Sequence, residues 1–239
     1  MKKYLFLKLL ALSTFVATPS LSHAQCNGNA LDKHSTFKAT KNWPLHPEIT
    51  INTTVSLQEG SSYASPEDGM GLYDIYLELS NTKDGKRIAK WCQKGALLSD
   101  ALRLNSIAID TAPYVLSKTM HAFGVRASYA NNSRSNPAHI GTVTLFALSA
   151  GKVRQLLKTT DTGGHFNEIS LNEECRGTYS ESNLTISAST NQHNGLSDLL
   201  LTKVENEGEL VKAPKDCIEK SSNRKVTKST LTFNGREYQ

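Results

Sequence analysis

The run Leu72-Tyr73-Asp74-Ile75-Tyr76-Leu77-Glu78-Leu79 sets Tyr73, Ile75, Leu77 and Leu79 on one side of the chain and Asp74 and Glu78 on the other. That alternation has the two-residue period of a β-strand with one buried face. Lys83-Asp84-Gly85-Lys86 follows, and its Asp-Gly step supplies the positive φ that a tight hairpin turn demands. Residues 87–92 then return as the partner strand.

The same reading extends in both directions. Strands are expected at residues 49–57, 102–109, 121–129, 142–148, 153–157, 184–189, 198–204 and 230–233, and no stretch beyond residue 24 carries a helical 3.6 period. The chain is therefore expected to be all-β. Gly85, Gly151, Gly208 and Gly235 are read as turn residues at irregular intervals, which do not give the fixed period of a solenoid. A twisted antiparallel β-sandwich is the expected architecture, with a small propeller-like arrangement as the alternative. The segment 159–174 reads as a connecting loop between an N-terminal β-rich domain, 25–158, and a C-terminal β-rich subdomain, 175–239.

Residues 1–24 read as a signal peptide. Lys2, Lys3 and Lys8 precede a short apolar run from Leu9 to Ala17, and small residues at Ser22 and Ala24 mark a cleavage site. The run is too short to span a bilayer, so no stable membrane insertion is expected after cleavage. Removing three lysines and no acid lowers the net charge from +5 to +2. That charge gives no general reason to expect nucleic acid as a partner. The stretch from Lys212 to Lys228 is locally basic and is read as a solvated loop, with an anionic-partner patch as the alternative.

All four cysteines, Cys26, Cys92, Cys175 and Cys217, follow the leader, which in an exported chain points to two disulfides. The expected pairs are Cys175–Cys217 and Cys26–Cys92. The nearest two cysteines are 42 positions apart, so they lack the close pairing of a zinc site.

No catalytic constellation stands out. Asp161-Thr162-Gly163 matches an aspartic-protease triplet, but Lys158-Thr159-Thr160 before it cannot be the buried strand that chemistry needs. Residues 190–199 resemble the calcium loop of integrin-type FG-GAP repeats, in which Gly195, Asp198 and Leu199 keep the pattern and Thr190, Gln192 and Asn194 depart from it. A tight turn delivering Asp198 to a strand is the expected structure. The histidines after the leader show no ligand-like spacing, and GxSxG, P-loop and dinucleotide motifs are absent, so neither a metal nor a cofactor is expected.

Arg126, Arg134 and His139 are the candidate binding residues. They lie in or beside the polar loop 130–139, which two good strands anchor, and loops on rigid β scaffolds often carry binding. Asp110-Thr111-Ala112-Pro113-Tyr114, Ala122-Phe123-Gly124-Val125-Arg126, the Asn131–Pro137 run and Thr144-Leu145-Phe146 together resemble a group of uncharacterised exported proteins of Gram-negative bacteria. The resemblance spans residues 70–239 and implies a periplasmic setting, without an activity. The expected function is a non-enzymatic binding module with a protein partner, including an inhibitor or immunity role. A periplasmic hydrolase with unrecognised residues and a structural envelope component are the alternatives.

Overall fold

The computed structural model describes residues 35–58, 69–170, 175–214 and 217–239. The leader and Cys26 lie outside the described residues. Every regular element among the described residues is a strand: β1 (Ser35–Trp43), β2 (His46–Leu57), β3 (Gly71–Asn81), β4 (Arg87–Ser99), β5 (Arg103–Val115), β6 (His121–Ala130), β7 (Ala138–Ser149), β8 (Lys152–Ile169), β9 (Gly177–His193), β10 (Leu196–Lys212) and β11 (Cys217–Leu231). They form two antiparallel meanders, a four-stranded sheet β1-β2-β3-β4 and a seven-stranded sheet β11-β10-β9-β8-β7-β6-β5. The expected sandwich-like all-β class is what the chain adopts. Neither sheet closes into a barrel.

The opening hairpin forms as read. Leu77 pairs with Trp91 across β3 and β4, and Tyr73, Ile75, Leu77 and Leu79 are all buried. They pack with Trp43, Ile51 and Val55 of the same sheet against Phe123, Val125, Ala127 and Tyr129 of β6. Trp43 meets Phe123 edge-on at 5.1 Å, and Trp91 meets Phe146 edge-on at 4.7 Å. Strand β1 is absent from the sequence expectation because the inward series Phe37, Ala39, Trp43 is broken by Lys41. That lysine reaches across to the carbonyl of Ile109 on the other sheet, at 3.3 Å.

The middle of the large sheet is covered on both faces. Phe146 belongs to the first core, while Val143, Leu145 and Ala147 point the other way into a second core with Leu156, Ile186, Leu199, Leu201 and Tyr238. That explains the unbroken apolar run of β7, which lacks a polar face. The C-terminal segment seals this second core. Tyr238 donates its N–H to the Leu156 carbonyl and its hydroxyl to the Ser197 carbonyl, each at 2.7 Å.

Three expectations need correction. Residues 159–169 are not a connecting loop: they are the second half of β8, and the large sheet runs without interruption across the expected boundary after Lys158. The composition misleads because Gly163, at φ +108°, lies where a side chain would run into the Ser182 carbonyl of the next strand. Gly208 is not in a turn but inside β10, beside a bulge in the β10–β11 ladder. The basic stretch read as a solvated loop is largely β11, in register with β10 from Cys217 to Leu231.

Candidate functional site

The site begins with an interruption in β5. Asp110 is opposite Gly124 and Tyr114 is opposite Ala122, so β5 carries two more residues than β6 between these pairs. Pro113 lies in this bulge, where its missing N–H costs no ladder bond. The extra length lets the chain fold back on Asp110. Ala112 N–H donates to Oδ1 at 2.9 Å, and the Tyr114 hydroxyl donates to Oδ2 at 2.8 Å. Gly124 makes room for this, since a Cβ there would come within 3.1 Å of Asp110 Cβ and 2.9 Å of Val143 Cγ2.

Arg126 completes the cluster. Its Nε and Nη2 both reach Asp110 Oδ2 at 2.7 Å. Burial raises the Asp110 pKa, but the Ala112 N–H, the Tyr114 hydroxyl and Arg126 outweigh it and leave the carboxyl below its ordinary value. Burial and the adjacent Asp110 anion push the Tyr114 hydroxyl up to about 12. The Arg126 pKa is raised: burial opposes the charge, and the Asp110 carboxylate more than restores it.

Beyond Arg126 the sheet face opens as a recess of about 260 Å³, lined by Ser106, Ala108, Arg126, Ser128, His139 and Thr162 among others. The ladders β5–β6, β6–β7 and β7–β8 bring these side chains together. His139 Nε2 and Ser128 Oγ are hydrogen-bonded at 2.9 Å. No side chain fills the point where Gly141 passes under Thr162 Oγ1, because a Cβ there would lie 2.7 Å from that oxygen. A larger depression of about 470 Å³ lies among β8, β9 and β10, lined by Glu168, Glu207 and Glu209. It holds no comparably anchored cation.

Two of the three expected binding residues, Arg126 and His139, line the recess. Arg134 does not: it is exposed on the neighbouring 131–137 loop. That loop is tied to itself and to β8. Asn131 Nδ2 donates to the Asn136 carbonyl, Ser133 Oγ accepts the Asn136 N–H, and the Ile169 N–H donates to Ser135 O at 2.7 Å. Asp110 and Tyr114 were not among the expected binding residues. Their signal was the register, which sets Arg126 diagonally across from Asp110 once β5 and β6 are paired.

The other expected features resolve individually. Cys175 and Cys217 are bridged, with Cα atoms 5.2 Å apart. Cys92 is also disulfide-bonded, and its expected partner lies outside the described residues. Asn194 and Gly195, at φ +49° and +83°, make the tight turn between β9 and β10. Asp198 is buried behind that turn and accepts from His193 Nδ1 at 2.7 Å. Among the described residues no three potential ligands gather around a common metal position. Asp161, of the aspartic-protease triplet, lies opposite Thr142 in the β7–β8 ladder, whereas Asp110 pairs with Arg126. No family model matches the chain, nor does any curated protein or solved structure.

Proposed function

We propose that this chain is an exported, non-enzymatic binding module that takes a protein partner at the Arg126–His139 recess and the adjoining 131–137 loop. The observation that carries this reading is the way Arg126 is held. Of the five N–H donors of the guanidinium two are committed to Asp110, and the Tyr114 hydroxyl also lies against the group, which fixes a side chain that is still 40% exposed to a ligand. Ser128, His139 and Thr162 supply further polar groups around it. A carboxylate or backbone carbonyl presented by a partner suits that arrangement.

Asp110 supports binding over catalysis. With its pKa driven down by three donors, it is a fixed anion near neutral pH and a poor proton carrier. Export is supported by the signal-like leader and by the Cys175–Cys217 bridge, which persists in an oxidising compartment.

The test is affinity capture from an extract of the source cells, using the oxidised chain and its Arg126→Ala, Arg134→Ala and Lys90→Ala variants. One stoichiometric protein should be retained by the wild type and by Lys90→Ala, on the other sheet, and lost with Arg126→Ala. Equal capture by all four chains would refute the assignment.

A further inference from the structure

Strand β11 is unusual within this fold. It is an outer strand of the seven-stranded sheet, paired with β10 along one edge, and residues 217–230 are exposed at every position. An antiparallel strand of 15 residues, at about 3.4 Å each, has an edge of about 50 Å that pairs with no other strand among the described residues. Its exposed side chains include Ile218 and Val226, at 51% and 48% of their full accessibility. The strand carries Lys220, Arg224, Lys225 and Lys228 against the single acid Glu219.

The register divides those cations. Lys220 lies opposite Glu209 and Lys225 opposite Glu205, so the inner neighbour already supplies carboxylates to these two. Arg224, Val226 and Lys228 share the other face. Their partners across the ladder are Asn206, Val204 and Thr202, none of them an acid. That face presents a cation, an apolar side chain and a second cation in alternation beside a row of backbone groups.

From this arrangement we infer that the outer edge of β11 is a docking strand for an extended acidic segment of a partner protein, which adds to the sheet as a further antiparallel strand. Backbone hydrogen bonds supply affinity in this mode, and alternate side chains supply selectivity. A segment with carboxylates two positions either side of an apolar residue matches Arg224, Val226 and Lys228. A second copy of this chain would bring the one acid of β11, Glu219, to an edge that carries four cations, and the registers that align the cations repel. Self-pairing centred on Arg224 sets Arg224 against Arg224 and Lys220 against Lys228, and pairing centred on Lys225 sets Lys225 against itself. Like charges directly opposite are destabilising, so the lysines that guard this edge against self-association select an acidic strand.

This inference does not depend on the recess, and its test leaves Arg126 intact. The probe is a capped peptide with glutamate, threonine, valine, threonine and glutamate at its centre, titrated into the oxidised full chain by calorimetry. Hydrogen exchange of the β11 amides is followed in parallel. The expected result is saturable binding that slows exchange in β11 and weakens with salt. The double variant Arg224→Glu/Lys228→Glu should bind roughly tenfold more weakly. It should instead take the peptide whose glutamates are replaced by lysines. Both substitutions are at exposed positions, and an unchanged urea midpoint verifies the fold. The inference is overturned by no saturable binding at millimolar peptide, by equal binding to the double variant, or by a wild-type dimer in sedimentation with protected β11 amides.

Discussion

Replacing Arg126 by methionine removes the cationic partner of a carboxylate whose side chain is only 12% exposed. Two contacts of 2.7 Å disappear, both to Asp110 Oδ2. Hydrogen bonds to charged groups contribute roughly 1.5–3 kcal/mol when buried. The Arg126 side chain is 40% exposed, so water recovers part of the loss and the variant should fall by about 2 kcal/mol. Asp110→Asn keeps one acceptor oxygen, for the Ala112 N–H, and sets an amide NH2 toward the Tyr114 hydroxyl, which can only accept from it, and toward the donors of Arg126, so it should cost about 2 kcal/mol. Because each change removes the same interaction, the double variant should cost less than the sum, with a coupling of about 1–2 kcal/mol. Urea unfolding followed by tryptophan fluorescence measures all four chains, since Trp43 is fully buried and half-buried Trp91 packs on Phe146. A pH series adds an independent signature. The Asp110 pKa in the folded chain is below 3.8, so its contribution is full above 3.8 and disappears as pH falls through the lower folded value. Asp110→Asn should lack that acid limb. Additivity within about 0.3 kcal/mol, or an acid limb unchanged in Asp110→Asn, would refute the anchoring of Arg126.

Gly124→Ala places a methyl 2.9 Å from Val143 Cγ2. It should cost about 1–3 kcal/mol by overpacking and weaken partner capture along with stability, as urea midpoints and affinity capture would show. Burial and the neighbouring His46 lower the pKa of His121 below 6.5, with Glu48 on the far side of His46. Its contribution is therefore present above pH 6.5 and lost as pH falls through the folded value, so His121→Gln should flatten the decline in stability between pH 7 and 5. Replacing both Cys175 and Cys217 by alanine opens a link between positions 42 apart, which the chain-entropy relation puts at about 4 kcal/mol. Thermal unfolding under oxidising conditions checks that value against the parent.

The most legible elements in the sequence are strands with one wet face and one dry face, or short apolar runs such as that of β7. Tyr73 to Leu79 alternates because β3 covers one core, and Asp84-Gly85 marks its turn without ambiguity. β11 has no such signal. Exposed on both faces, it has no apolar period, and its lysines and serines read as a loop. The second half of β8 is concealed in a different way, because Gly163 and Gly164 satisfy close backbone approaches inside a sheet and resemble a linker in composition. Arg126 and His139 could be nominated from the polar loop between two strands. Their convergence could not, since it depends on registers fixed by the bulge at residues 111–113. Arg134 shared the same loop signal, but its place on the loop leaves it outside the recess.

A protein partner seated on the recess and the loop beside it comes within reach of side chains placed at Ser128 and Arg134. Site-specific photo-crosslinking in intact cells tests this seating most directly, with a benzophenone side chain introduced in turn at Ser128, Arg134 and, as a control on the other sheet, Lys90. One protein adduct is expected, the same from Ser128 and Arg134 and absent from Lys90. Adducts spread equally over all three positions, or none from Ser128 and Arg134, would contradict that seating.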